Sequence, residues 1–99
     1  MMPAIDLSWV RDQFPGLHHQ QNGNSVAFFD GPAGSQVPRS VADAVSRYLL
    51  ETNSQHGGVF EVSRESDAIL DRGHQALADF LGARDPGCIA FGANMTTLT

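Results

Sequence analysis

The sequence predicts an α/β chain in which three helices and two short strands alternate with irregular loops. Three segments carry apolar residues at steps of three and four, the spacing that places side chains on one face of a helix. Two short apolar runs, Val26–Phe29 and Ile89–Phe91, have the composition of strands. Glycine and proline stand between these segments and indicate the turns.

The first predicted helix covers residues 5–17. Its apolar stripe recurs at steps of three and four and consists of Leu7, Val10, Phe14 and Leu17. Asp6 or Ser8 is expected to cap the N-terminus, and Pro15-Gly16 is expected to end the helix. A helix this short near a terminus is typical of an arm that packs on a larger body.

Two adjacent histidines, His18 and His19, stand in the polar segment that follows. Neighbouring side chains of an extended segment point apart, and no third ligand lies at a useful spacing. We therefore interpret both as solvated loop residues and expect no metal site. Asn22-Gly23 in the same segment is a turn signal.

The second predicted helix begins at Pro38, which suits a first helical turn, and ends near Thr52-Asn53. Its apolar face recurs at steps of three, four, seven and eight and consists of Val41, Ala44, Val45, Tyr48 and Leu49. An amphipathic helix of this pattern is expected to lay one face on a core.

The third predicted helix is the longest. Ser63 is its expected N-cap, and Gly82 is its expected C-terminal stop. Gly73 lies on its apolar stripe, which indicates close approach to another element rather than flexibility. Asp85-Pro86-Gly87 is expected to turn the chain into the second strand.

Two glycine-rich loops are candidate ligand contacts. The loop Gly31–Pro38 lets the backbone approach a ligand closely, although a plain strand-to-helix connection is the simpler interpretation. In the second loop Gly57-Gly58 follows His56 and holds the backbone open around the imidazole. An inert loop histidine is the alternative there.

The last residues form the third candidate. The second strand passes through Gly92-Ala93 to Asn94, a good N-cap residue, and Thr96, Thr97 and Thr99 follow. A helix N-terminus offers unpaired N–H groups and partial positive charge to an anion, and threonine hydroxyls add donors. A capped helix start without a ligand is the alternative. Because the chain stops within the first turns of this helix, we expect it to be the N-terminal piece of a larger protein.

Composition excludes several classes of protein. The net charge of -5 and the lack of any basic run argue against a nucleic-acid surface. The single cysteine, Cys88, excludes an internal disulfide and begins a strand where inert buried thiols are common. The N-terminus shows neither a signal peptide nor a membrane-spanning stretch, so a cytoplasmic location is expected. All 6 basic residues are arginines.

The order of these segments resembles the start of the class V aminotransferases, specifically their cysteine desulfurase-like branch. The resemblance covers essentially the whole chain and rests on five features in the right order. These are a short N-terminal helix, Phe28–Pro38 followed by a helix, Asn53–Phe60 with Ser63, a long helix to Phe80–Ala83, and Ile89–Thr99. It implies a fold-type I enzyme that uses pyridoxal 5'-phosphate, acts on an amino acid and forms a homodimer. The chain would hold three helices, two short strands and the start of the large-domain sheet.

The resemblance also implies roles for individual residues. The turn Asn94, Met95 and Thr96 would hold the cofactor phosphate, through the Met95 and Thr96 N–H groups and the Thr96 hydroxyl. The loop at Ala33 and Gly34 would border the substrate carboxylate, and His56 would lie near the active site.

The chain departs from that family's pattern at two of these places. Desulfurases often carry Gly-Thr-Thr-Glu where this chain has Asn94–Thr97, and often follow the histidine with Arg-Gly instead of Gly57-Gly58. Substrate, reaction and any sulfur-acceptor partner therefore stay open. The family's Schiff-base lysine would lie further along the chain.

A lysine-free chain cannot hold the cofactor as this family does, because pyridoxal phosphate enzymes need an amine for covalent attachment. We therefore expect residues 1–99 alone to be one inactive partial domain. It would comprise an arm and first strand (1–35), a helical region (36–85) and a strand with the phosphate-binding turn (86–99). The alternative is a small non-catalytic α+β binding or interaction module derived from the same family.

Overall fold

The computed structural model describes residues 3–99 of the chain. Its α-helices are Leu7–Asp12 (α1), Arg39–Arg47 (α2), Glu61–Leu81 (α3) and Met95–Leu98 (α4). Its strands are Gln20–Gln21 (β1) and Asn24–Ser25 (β2). Tight 3-10 turns lie at Pro15–His18, Gly31–Ala33 and Pro86–Cys88, and a π-helical turn lies at Tyr48–Thr52. The described residues up to Leu50 form one compact unit and Glu51–Thr99 form another.

Helix α1 begins as predicted, because Asp6 caps it. The Asp6 carboxylate accepts the N–H groups of Ser8 and Trp9 at 3.0 and 3.1 Å. The predicted end is wrong: the α-helix stops at Asp12, and Pro15 opens a separate 3-10 turn. Proline has no N–H to donate to the preceding turn, so the helical ladder cannot continue through it.

The strands of the structure lie in a hairpin that precedes the first predicted strand. Antiparallel β1 and β2 pair Gln20 with Ser25 and Gln21 with Asn24. The turn signal is confirmed, since Asn22 and Gly23 have φ values of 52° and 78°, the left-handed pair that a two-residue hairpin turn requires.

The predicted strand at Val26–Phe29 is wrong. The Val26 N–H bonds His19 at 3.2 Å and so extends the hairpin by one bond, but within residues 3–99 no further ladder forms there. Phe29 is 95% exposed. Aromatic and β-branched composition favours an extended backbone, whereas a strand also needs a partner to pair with.

Helix α2 begins at Arg39, one residue after the predicted start, because Pro38 is its N-cap and has an extended backbone. The Arg39 N–H donates to the Gln13 carbonyl at 2.9 Å. The π-helical turn then carries the helical segment to Thr52, which confirms the predicted end. The apolar face exists but is not covered within its unit: Val41, Val45 and Leu49 are each about half exposed. Helical periodicity therefore predicted the element correctly without predicting a burial partner.

Helix α3 begins at Glu61, and its N-cap Phe60 supplies no side-chain bond. The prediction that Ser63 is the N-cap is wrong, because Ser63 lies inside the first turn and is fully buried. The predicted stop at Gly82 is confirmed by its φ of 68° and by the Ala83 N–H bond to Ala78 at 2.8 Å. The Phe91 ring lies 3.6 Å from the position a Cβ of Gly73 would take, which confirms the predicted close approach of another segment at Gly73.

The predicted turn at Asp85–Gly87 is confirmed, since the Asp85 carboxylate accepts the Gly87 N–H at 2.7 Å. Cys88 ends that turn and is exposed, not buried. The predicted strand at Ile89–Phe91 is wrong. Ile89 has extended backbone angles, but no segment among the described residues pairs with it. Asn94 caps α4 as predicted.

Very little of the described part of the chain is buried. Among residues 3–99 the buried side chains are Ser63, Ser66 and Ala78. Large apolar residues such as Leu50 and Phe80 are more than four-fifths exposed, at 83% and 82%. Hydrophobic burial within the chain therefore contributes little stability. None of the helices from residue 3 onward is long and apolar enough to cross a bilayer.

Candidate functional site

Polar side chains on one face of α3 hold the loop that precedes it. Ser63, Ser66 and Asp67 are separated by three and four residues, so they project from the same side of the helix. Each binds a backbone group of residues 54–58, which we call the histidine loop because it contains His56. Helix α3 thereby fixes the position of the loop that carries the candidate residue His56.

The buried Ser63 hydroxyl makes the tightest of these contacts. It donates to the Gln55 carbonyl at 2.6 Å and accepts the Gly58 N–H at 2.7 Å. Ser66, also buried, donates to the Ser54 carbonyl at 3.2 Å. Buried polar groups are costly unless paired, and here the hydroxyls and the loop backbone satisfy each other.

Asp67 binds the loop next to its imidazole. One carboxylate oxygen, Oδ1, accepts the Gly57 N–H at 3.0 Å and the His56 Nδ1–H at 2.5 Å. The Gly57 φ of 79° suits glycine and directs its N–H towards α3. The Gly57 N–H lowers the pKa of Asp67 below its ordinary 3.8; partial burial opposes this, and the bond and charge of His56 lower it further.

The lowered pKa of Asp67 predicts where the loop loosens in acid. A carboxyl whose pKa is lower in the folded than in the unfolded state stabilises the fold above the unfolded value, here about 3.8. That contribution is lost as the pH falls through the lowered folded value. We expect the Gly57 amide resonance to titrate with a midpoint below 3.8 and to stop titrating in Asp67→Asn. A wild-type midpoint at or above 3.8 contradicts this expectation.

An open cavity of about 500 Å³ lies beside the histidine loop in the second unit. It is lined by His56, Leu70, Asp71, His74, Gln75, Pro86 and Gly87. The His74 Nδ1–H donates to the Leu70 carbonyl at 2.8 Å, and its ring meets Phe91 edge-on with centroids 4.6 Å apart. Both imidazoles of the cavity thus have Nδ1 engaged and Nε2 without a partner among the described residues.

The turn at Asn94 contains both bonded and unbonded polar groups. Asn94 Oδ1 accepts the Thr97 N–H at 3.0 Å, and the Asn94 carbonyl accepts the Thr97 hydroxyl at 2.9 Å. Over residues 3–99, the N–H groups of Met95 and Thr96 and the Thr96 hydroxyl have no hydrogen-bond partner. Two backbone donors and one hydroxyl at a helix start fit a phosphate group.

Ala33 and Gly34 lie in the first unit, in and just after the Gly31–Ala33 turn. Their N–H groups are used within that turn: Ala33 donates to Asp30 at 2.8 Å and Gly34 donates to Gly31 at 3.1 Å. Apart from the adjacent residues of the chain, no heavy atom lies within 4 Å of the position a Gly34 Cβ would take. The turn therefore offers an open backbone surface rather than free N–H donors.

The structure places the candidates in separate surroundings. His56 lines the cavity, whereas Asn94, Met95 and Thr96 are not among its lining residues. Sequence reasoning missed Asp67 and misassigned Ser63. The available signal was the polar spacing at 63, 66 and 67 on a helix that is otherwise amphipathic. In the part of the chain described here, no three metal-ligating side chains lie close enough together to hold a metal ion.

Comparison with known proteins gives matches to one family. The family profile described as aminotransferase class-V matches residues 27–98. An uncharacterized protein of Mycobacterium tuberculosis is 36% identical over 95 residues, 96% of this chain and 22% of its own length. A protein named probable cysteine desulfurase from Halobacterium salinarum is 34% identical over 94 residues, 93% of this chain and 23% of its own.

An aminotransferase-like protein of Gibberella zeae is 38% identical over 84 residues, 81% of this chain and 20% of its own length. The chain therefore spans about a fifth of the length of the curated relatives it matches. The expected resemblance is confirmed by these matches, which extend across both units of the structure.

Proposed function

Because the chain belongs to the class V aminotransferase family, we propose that it forms the N-terminal part of a pyridoxal-phosphate-dependent, cysteine desulfurase-like enzyme of fold type I. In that enzyme it would supply the turn that holds the cofactor phosphate. The observation that carries this proposal is the set of unpartnered donors at Met95 and Thr96 within the described residues.

The structure explains why these donors are available. Asn94 binds the Thr97 N–H and hydroxyl itself, which holds the first turn of α4 in place and leaves the two earlier N–H groups pointing outward. The Thr96 hydroxyl lies on the same turn. A phosphate there would accept charge-assisted hydrogen bonds from all three groups.

The other candidates take supporting roles in the proposal. His56 lies on a loop held by α3 and would face the substrate with its free Nε2. The exposed backbone at Ala33 and Gly34 would border the substrate carboxylate. Pyridoxal phosphate, when bound, supplies the electron sink for reactions of amino acids. The extensive exposed apolar surface supports assembly into a larger body, which we propose to be a homodimer.

A cofactor titration of the full-length protein that carries this segment tests the proposal. We expect stoichiometric pyridoxal phosphate binding and a change in cofactor absorbance on addition of an amino acid. The matched variant Asn94→Ala removes the cap and is expected to weaken cofactor binding. A full-length protein that binds no pyridoxal phosphate would instead support the non-catalytic module.

The chain of residues 1–99 is expected to form no covalent link with pyridoxal phosphate at a defined site, because it contains no lysine. Borohydride reduction followed by peptide mass spectrometry measures this directly. Acetylation of the N-terminus provides the control, since the α-amine is the remaining primary amine. Stoichiometric labelling of the acetylated chain at one internal residue would contradict the prediction.

A further inference from the structure

We propose that Asp67 is a positioning residue for His56: it fixes the neutral imidazole in the Nδ1–H tautomer and presents Nε2 to the cavity as a hydrogen-bond acceptor. The identity of the group that Nε2 meets rests on the proposed function. There the donor would be the ammonium group of an amino-acid substrate. The tautomer and the orientation of the ring rest on the structure alone.

The hydrogen-bond pattern specifies the tautomer. A carboxylate only accepts, so the 2.5 Å contact between His56 Nδ1 and Asp67 Oδ1 requires a proton on Nδ1. In a neutral imidazole the other nitrogen is then an acceptor, because the bond made by one ring nitrogen sets the state of the other. Within residues 3–99 nothing binds Nε2, so its lone pair is available to a ligand.

Stability alone does not account for this contact. The His56 and Asp67 side chains are 75% and 28% exposed, and even a charged pair near the surface contributes only about 0–1 kcal/mol. Ser63, Ser66 and the Gly57 N–H bond already hold the loop backbone without the imidazole. What the contact adds is a defined direction and protonation pattern for a ring that would otherwise rotate in solvent.

The second histidine of the cavity supports this interpretation independently. His74 has its Nδ1–H bound to the Leu70 carbonyl, so the same tautomer is imposed by a different acceptor. Both imidazoles therefore offer Nε2 acceptors in one cavity, which Asp71 also lines. A cavity of acceptors suits a hydrogen-bond donor and disfavours an anion.

Nitrogen-15 NMR of the histidine rings in the cofactor-free full-length protein that carries this segment measures the tautomers, at a pH where the imidazoles are neutral. In the wild type we expect His56 and His74 to show the Nδ1–H form. His19, which has no ring partner in the described part of the chain, provides the averaged reference. In Asp67→Ala, His56 should lose its Nδ1–H excess and come to resemble His19, while His74 keeps its tautomer.

Two further variants distinguish positioning of His56 by Asp67 from a general effect of removing a nearby carboxylate. Asp71→Ala removes the carboxylate that lines the cavity and should leave the His56 tautomer unchanged. Asp67→Asn keeps an oxygen acceptor and should retain part of the Nδ1–H excess. A His56 tautomer that is unchanged in Asp67→Ala overturns the proposal.

The wild-type spectrum alone also tests whether His56 is held in one tautomer, even if a variant fails to fold. A wild-type His56 with the same tautomer ratio and rotamer averaging as His19 overturns the proposal. Because no cofactor is present, this outcome is independent of the cofactor titration. A protein that binds no pyridoxal phosphate can still show an oriented His56. A protein that binds pyridoxal phosphate can likewise show a His56 that is not oriented.

Discussion

Gly58→Ala is expected to destabilise the second unit by about 1–3 kcal/mol, the usual cost of overpacking a filled site. A Cβ at this position would lie 2.7 Å from the Ser63 hydroxyl, 2.9 Å from its Cβ and 2.8 Å from the Phe60 ring. Ser63 is fully buried and bonded on both sides, so it cannot move aside without breaking its bonds. Urea denaturation of the full-length protein that carries this segment, followed by circular dichroism, measures the loss.

A matched control and a double mutant sharpen this test. Gly31→Ala adds the same methyl group where no heavy atom beyond the adjacent residues lies within 4 Å, and should change stability by less than about 0.5 kcal/mol. Ser63→Ala alone leaves the Gly58 N–H and the Gln55 carbonyl unpaired, at about 1–3 kcal/mol. Combined with Gly58→Ala it should cost less than the sum, because the hydroxyl that clashes is gone. Equal urea midpoints for wild type and Gly58→Ala would show that the loop does not pack as described.

Thr96→Val is expected to weaken pyridoxal phosphate binding by the full-length protein about tenfold to a hundredfold. Valine keeps the shape and removes the hydroxyl, so the loss should equal one charge-assisted hydrogen bond, about 1.5–3 kcal/mol. The N–H groups of Met95 and Thr96 remain, so binding should weaken and not vanish. The measurement is the dissociation constant of the cofactor for each variant, with folding checked by circular dichroism.

The neighbouring threonines provide the controls. Thr97 and Thr99 already donate their hydroxyls to the Asn94 and Met95 carbonyls, at 2.9 and 3.0 Å. Thr99 also lies about one turn further into the helix, where the effect of the helix dipole fades. Thr99→Val should therefore change the cofactor dissociation constant much less than Thr96→Val. Equal affinity of wild type and Thr96→Val would mean that this hydroxyl does not bind the phosphate.

Local signals predicted the helices, and non-local pairing explains the failures. The apolar periodicity after Pro38 and after Ser63 identified α2 and α3, and Asp6, Asn94 and Gly82 were correctly placed at helix ends. These features depend on residues within one or two turns of each other. The predicted strands Val26–Phe29 and Ile89–Phe91 needed pairing partners that sequence composition does not specify.

The contacts of the candidate site also differ in whether a local sequence motif predicts them. The Asn94 cap involves residues three positions apart and was predicted from a local motif. The contact between His56 and Asp67 joins residues eleven positions apart, and only the folded loop brings them together. Ser63 was misassigned because serine before a helical pattern usually caps it, whereas here Phe60 is the N-cap, the helix begins at Glu61, and Ser63 binds the loop.

The histidine loop and α3 also have a consequence for the order of folding. Their bonds join residues between five and twelve positions apart, from Gly58–Ser63 to Ser54–Ser66. Closing a loop of about ten residues takes on the order of 10–100 ns, far less than the assembly of distant segments. The imidazole of His56 can therefore be oriented as soon as the first two turns of α3 have formed, before any contact with more distant parts of the protein.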